Sequence, residues 1–145
     1  MSSALLAQRQ RELSAAQTQL TSAQGRRRRL EGDIGEIENI SERMRGQRDE
    51  LRTQRTSLAR FAHTNFPQWR GALRAKRFHT LAVSELVGRD FTQIVNRVEH
   101  IVDELAQRRV ILRNNLSETN SQIARLRSRI AALQVEIRNL QASLS

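Results

Sequence analysis

Asn65-Phe66-Pro67-Gln68-Trp69-Arg70-Gly71 is the stretch on which the fold turns. It holds the chain's only Pro and only Trp. Pro67 lacks an amide hydrogen and biases Phe66 away from helical angles. Gly71 reaches backbone angles that other residues resist. Breakers at both ends of five residues, between two long periodic segments, predict a turn.

Working outward, the first arm runs from Ser3 to about Thr64. Positions alternately three and four apart from Leu6 read Leu6, Arg9, Leu13, Ala16, Leu20, Ala23, Arg27, Leu30, Ile34, Ile37, Ser41, Met44, Arg48, Leu51, Arg55, Leu58. The frame never slips, and an unslipped 3.5-residue period predicts a coiled-coil arm of roughly 90 Å. Arg9, Arg27, Arg48 and Arg55 interrupt its seam, and Ala16 and Ala23 thin it. A buried, unpaired guanidinium costs several kcal/mol. These arginines must therefore snorkel, pair with acids, or meet another chain. Gly25, Gly32, Gly35 and Gly46 each cost about 1 kcal/mol relative to Ala and predict a bend or loose stretch. The run Arg26–Arg29 points in several directions around a helix and reads as a solvated segment, partly neutralised by Glu31, Asp33, Glu36 and Glu38.

The second arm, Ala72 to Leu144, carries the same frame through Phe91, Val95, Val98, Val102, Leu105, Arg109, Leu112, Leu116, Thr119, Ile123, Leu126, Ile130, Leu133, Ile137, Leu140 and Leu144. Ile94 and Ile101 widen the stripe near the turn, and a broad stripe wants more than one neighbouring helix. Gly88 marks a possible break. The expected architecture is all-α: one domain over 1–145, a long antiparallel two-helix hairpin with helices at 3–64 and 72–144 and the turn at 65–71. Pairing the arms about that turn puts Leu58 near Leu73–Leu81, although the repeat itself leaves the register open.

The 145 residues are 38% hydrophobic but only 3% aromatic, so the apolar material suits a thin helical seam. There is no Cys, which excludes disulfides and thiolate metal sites. No apolar run approaches the roughly 20 residues that span a bilayer. The first residues lack the apolar middle of a secretory signal, so a cytoplasmic origin is expected. Net charge is +10, with 24 of the 25 basic residues Arg, a balance that invites an acidic partner. From Arg60 to Arg89 six basic residues face Glu85 alone, in the region that also holds Phe61, Phe66, Trp69 and Phe78. That mixture suggests a small local core or an exposed interaction patch.

Catalytic and ligating patterns are missing. His63, His79 and His100 show no metal-ligand spacing and no acidic partner three or four residues on. The glycines are dispersed, so there is no phosphate loop, and a two-helix rod offers no concave pocket. No catalytic residue, metal or cofactor is expected, and the chain reads as a non-enzyme.

Trp69-Arg70-Gly71 at the bend of a helical hairpin, with Phe78 following, resembles the WXG superfamily of type VII secretion. The chain is longer than a typical WXG protein, with extended Leu/Ile heptads after the motif. In this it is similar to the small α-helical partners encoded beside LXG toxins in Gram-positive bacteria. The resemblance covers most of the chain in architecture and three to five residues in motif. It implies a turn built on Pro67, Trp69 and Gly71 and helices that pack against a partner. The family's export signal, an aromatic residue followed four positions later by Asp or Glu, is missing: Phe61, Phe66, Phe78 and Phe91 are followed by Asn65, Arg70, Ala82 and Val95.

The function expected on these grounds is a targeting factor or chaperone that binds the N-terminal helical domain of an LXG toxin, together with a second small helical partner. It is expected in the cytoplasm or co-exported with the toxin. Candidate partner-binding residues are Phe66, Phe78, Leu81, Leu86, Phe91, Ile94 and Ile101, with Arg48 and Arg55 for acidic groups. Two alternatives stay open: a coiled coil that self-associates, and a nucleic-acid or membrane-surface binder acting through basic residues.

Overall fold

A computed structural model describes residues 2–63 and 88–145; the turn at 65–71 and the expected start of the second helix at 72 lie outside the described residues. Helix α1 spans Ser2–His63, 62 residues, and helix α2 spans Phe91–Leu144, 54 residues. Residues 88–90 form a wider, π-type turn directly before α2, and every other described residue except Ser145 is α-helical. Leu, Ala, Gln, Glu and Arg dominate both helices and lose little on entering one, while the single Pro lies in neither.

The expected loosening of the glycine segment does not occur. Helix α1 runs unbroken through Gly25, Gly32, Gly35 and Gly46. The cost of four glycines is of order 3–4 kcal/mol. It is spread over a helix whose apolar side chains each contribute roughly 1.5–3 kcal/mol when fully buried.

The chain divides into two compact units. Unit 1 comprises Met1–Glu36 with Arg109–Ser145, and unit 2 comprises Ile37–Arg108. In unit 1 the helices are antiparallel: the Arg9 Nε donates to Glu136 Oε1 at 2.9 Å, and Arg26 Nη1 donates to Gln122 Oε1 at 3.3 Å. The core of this unit is the alternating frame itself, with Ala16, Ala23, Ile34, Leu112, Ile123, Leu126, Leu133 and Ile137 buried. Ala23, 1% exposed, packs with Ile123 and Leu126, and Leu20 leans on the cluster. The alanines that thin the seam on paper are thus among its most buried points. Their small size admits the branched side chains of α2 into the space between the helices. Thr119 is also buried and donates its hydroxyl to the Asn115 carbonyl at 2.9 Å, so its burial leaves no unmet polar group.

The seam positions of the heptad are called a and d here. In α1 Leu6, Leu13, Leu20 and their successors at seven-residue intervals are a, and Arg9, Ala16, Ala23 and successors are d. In α2 Val95, Val102 and successors are a, and Phe91, Val98 and successors are d. All seam residues of α1 from Leu6 to Leu58 are buried or half-buried, as are those of α2 from Phe91 to Leu140. Leu144, at the last residue of α2, is 50% exposed.

Unit 2 carries a cross-helix ion pair that fixes a local register. Arg52 of α1 and Glu99 of α2 form an ion pair. Six residues further along α1 and six back along α2 set Leu58 level with Gln93; its expected neighbours Leu73–Leu81 lie outside the described residues.

Candidate functional site

The two units close their seams to different degrees. In unit 2 the buried described residues are Ser41, Val95 and Val102. Ile37, Met44, Leu51, Leu58, Phe91, Val98 and Leu105 are half-buried, as are Leu6, Leu13, Leu20, Leu30, Leu116, Ile130 and Leu140 in unit 1. The cause lies in α1, whose three successive a positions here are Ser41, Arg48 and Arg55. Arg48 and Arg55 are half-buried, because a guanidinium keeps its charged end toward water while its stem lies along apolar surface. Helix α1 therefore offers α2 little more than its d column, and the apolar surface of α2 is left partly uncovered.

Ile94 and Ile101, which widen the α2 stripe, are 45% and 40% exposed. Phe91 beside them is half-buried. Of the residues expected to bind a partner, the structure thus gathers Phe91, Ile94, Ile101, Arg48 and Arg55 in one unit. Phe66, Phe78, Leu81 and Leu86 lie outside the described residues, as do Pro67, Trp69 and Gly71. Ile40, 44% exposed in the same unit, was not among the expected residues. Its signal was present in the sequence: it stands immediately before a seam position, as Ile94 and Ile101 do.

The seam arginines are resolved differently along the chain. Arg9 is paired: its Nη1 lies 2.8 Å from Glu12 Oε2, its Nε lies 2.9 Å from Glu136, and Arg129 approaches Glu12 at 3.7 Å. The hydrogen bond from Arg9 holds the Glu12 carboxyl below the usual carboxylate range; burial opposes it, and the charges of Arg9 and Arg129 and a hydrogen bond from Gln8 add to the lowering. The hydrogen bond and charge of Glu12, followed by Glu136, raise Arg9 in turn. Arg48 lies 3.3 Å from Asp49. His100 corrects the expectation of no acidic neighbour: its Nε2 is 3.0 Å from Glu104, one helical turn on. Asn96, Arg97, His100 and Ile101 line a shallow depression on α2.

No helix of the described residues is long and apolar enough to cross a membrane. The basic excess is substantial at the ends of the chain: unit 1 carries twelve arginines against six acidic residues. No family model, no curated protein and no solved structure matches the chain.

Proposed function

We propose that this chain is a non-enzymatic targeting factor or chaperone whose helices bind the N-terminal helical domain of an LXG toxin for type VII export. The observation that carries the binding role is the exposure of Ile94 and Ile101 beside a seam whose α1 column reads Ser41, Arg48 and Arg55. Apolar surface of this kind at heptad spacing is satisfied by another helix. The identity of the partner rests on the Trp69-Arg70-Gly71 motif between long heptad arms, and the arginine excess suits an acidic partner surface.

Co-expression tests the proposal. The toxin's N-terminal domain is produced with and without this chain, and soluble yield and co-purification are measured. A stable complex and higher soluble yield are expected. A toxin domain that is equally soluble alone and never co-purifies removes the toxin reading. A stable homo-oligomer that excludes the toxin domain favours the self-associating coiled coil instead.

A further inference from the structure

Two runs without an acidic residue lie side by side in unit 1. On α1 the run is 13–30, between Glu12 and Glu31; on α2 it is 119–135, between Glu118 and Glu136. They are far apart in sequence, and the fold sets them level. Arg9 reaches Glu136 at 2.9 Å just beyond one end, Ala23 packs with Ile123 and Leu126, and Arg26 donates to Gln122 at 3.3 Å. Together the runs carry seven arginines, Arg26–Arg29, Arg125, Arg127 and Arg129, whereas the rest of the unit has five against six acids. The basic excess of unit 1 is thus confined to this band. The neutralisation of Arg26–Arg29 expected from neighbouring acids is not formed: among the described residues Arg26–Arg29, Arg125 and Arg127 enter no ion pair, and Arg129 only approaches Glu12, at 3.7 Å. Four of the seven share one edge. Arg26 and Arg129 immediately precede a residues, Arg29 and Arg125 immediately precede d residues, and these heptad places adjoin on one side of an antiparallel pair. The Arg26–Gln122 and Glu12–Arg129 contacts cross between the helices on that edge. Arg27 lies in the seam, and Arg28 and Arg127 lie toward the opposite edge.

We infer that this four-arginine edge binds the phosphate backbone of a nucleic-acid duplex. Guanidinium groups pair with phosphate oxygens in a bidentate fork, and Gln and Ser side chains supply the neutral donors of backbone contacts. Gln19, Ser22 and Gln122 stand among the four arginines. On that edge Glu12 and Glu136 bound the site at one end, and Asp33 and Glu118 at the other. With Arg26 level with Gln122, Arg129 is level with Gln19, so the four arginines span about ten residues, roughly 15 Å. A duplex presents roughly nine phosphates over that length, enough for each arginine to meet one. Other anionic partners are disfavoured by what this surface lacks. Single strands are held by aromatic stacking, and every Phe and the Trp lie between 61 and 91, outside unit 1. Membrane surfaces take up apolar side chains, and the core of a protein contact is apolar too. In the two runs every large apolar side chain is buried or half-buried except Val135, whose heptad place is opposite the seam and away from this edge. The inference is independent of the toxin reading, whose binding surface is in unit 2.

Fluorescence anisotropy of the full chain against labelled duplexes of about 24 base pairs, one DNA and one RNA, tests this between about 50 and 200 mM salt. Four phosphate contacts predict that affinity falls about a hundredfold over that range, a log–log slope of about −3.6. Arg26→Gln/Arg29→Gln/Arg125→Gln is expected to reduce the slope by about 2.7 and to weaken binding at least about tenfold. Arg43→Gln/Arg45→Gln/Arg97→Gln removes the same charge from unit 2 and is expected to leave the slope unchanged. All six side chains are exposed, so both variants are expected to keep their helicity, which circular dichroism checks. Arg125→Gln alone is expected to reduce the slope by about 0.9. Binding of either duplex with this pattern supports the inference, and the tighter of the two names the source of the phosphates. No binding at about 50 mM salt, an equal loss in the two triple variants, or tighter binding of a single strand overturns it. So does tighter binding to phosphatidylserine vesicles, or displacement of the duplex by poly-glutamate at equal charge concentration.

Discussion

At the scale of single residues, the small side chains of the seam are as buried as its large ones. Ala23 sits between Ile123 and Leu126 with almost no exposure, so there is no room for a larger side chain. Ala23→Leu is expected to destabilise the protein by about 1–3 kcal/mol through overpacking, and Ile123→Ala by about 2–5 kcal/mol through the cavity it leaves. Chemical denaturation of the two variants checks both values. Ala16 and Ala23 thin the seam in side-chain volume, and their burial fits the closer helix approach that small residues allow. The ionic cluster gives a pH test. Glu12 has a folded-state pKa below its ordinary value of 4.5. Its contribution to stability is therefore complete above about pH 4.5 and is lost as the pH falls through the lower folded value. Arg9 is shifted upward by Glu12 and Glu136, so its guanidinium stays charged across this acid range. Glu12→Gln is expected to flatten the acid limb of the stability curve, measured by thermal melts from neutral pH downward. An unchanged acid limb in that variant would assign no stabilising role to the pairing.

At the scale of the helix, α1 is stretched by sequence choices that its own packing does not require. A Cβ added at Gly25, Gly32, Gly35 or Gly46 meets nothing within 4 Å, and none of these positions has a positive φ. Each Gly→Ala change is expected to raise stability by about 0.5–1 kcal/mol, and the four together to raise the melting temperature clearly. A fall in melting temperature would show that the glycines serve a conformation other than this helix. The heptad frame was fully legible in both helices, because a 3.5-residue period decides which face is covered whatever lies opposite. Leu144 departs from it because α2 ends there and brings no further turn to cover it. The register was not legible. Shifting one helix by seven residues keeps the a and d columns facing each other, so pairs such as Arg9–Glu136 and Arg52–Glu99 are needed to distinguish the alternatives.

At the scale of the whole molecule, the division into two units coincides with a change in how the seam is built. In unit 1, leucines and alanines of α1 meet isoleucines and leucines of α2, and Ala16, Ala23, Ile34, Leu112, Ile123, Leu126, Leu133 and Ile137 are buried. In unit 2, Ser41, Arg48 and Arg55 replace the apolar a column of α1, and the apolar face of α2 is left wanting cover. The sequence showed this imbalance in two separate signs, the seam arginines and the isoleucines that widen α2. It did not show that Ile40 joins Ile94 and Ile101, because that depends on which edges of two helices come together. The partner-binding proposal requires the open unit to be the less stable one until its partner arrives.

Amide hydrogen exchange on the isolated full-length chain tests that requirement most directly. The expected result is that α2 amides over 95–105 exchange at least about tenfold faster than those over 112–137. Equal, strong protection across both stretches would mean that unit 2 is already complete, and would contradict the account.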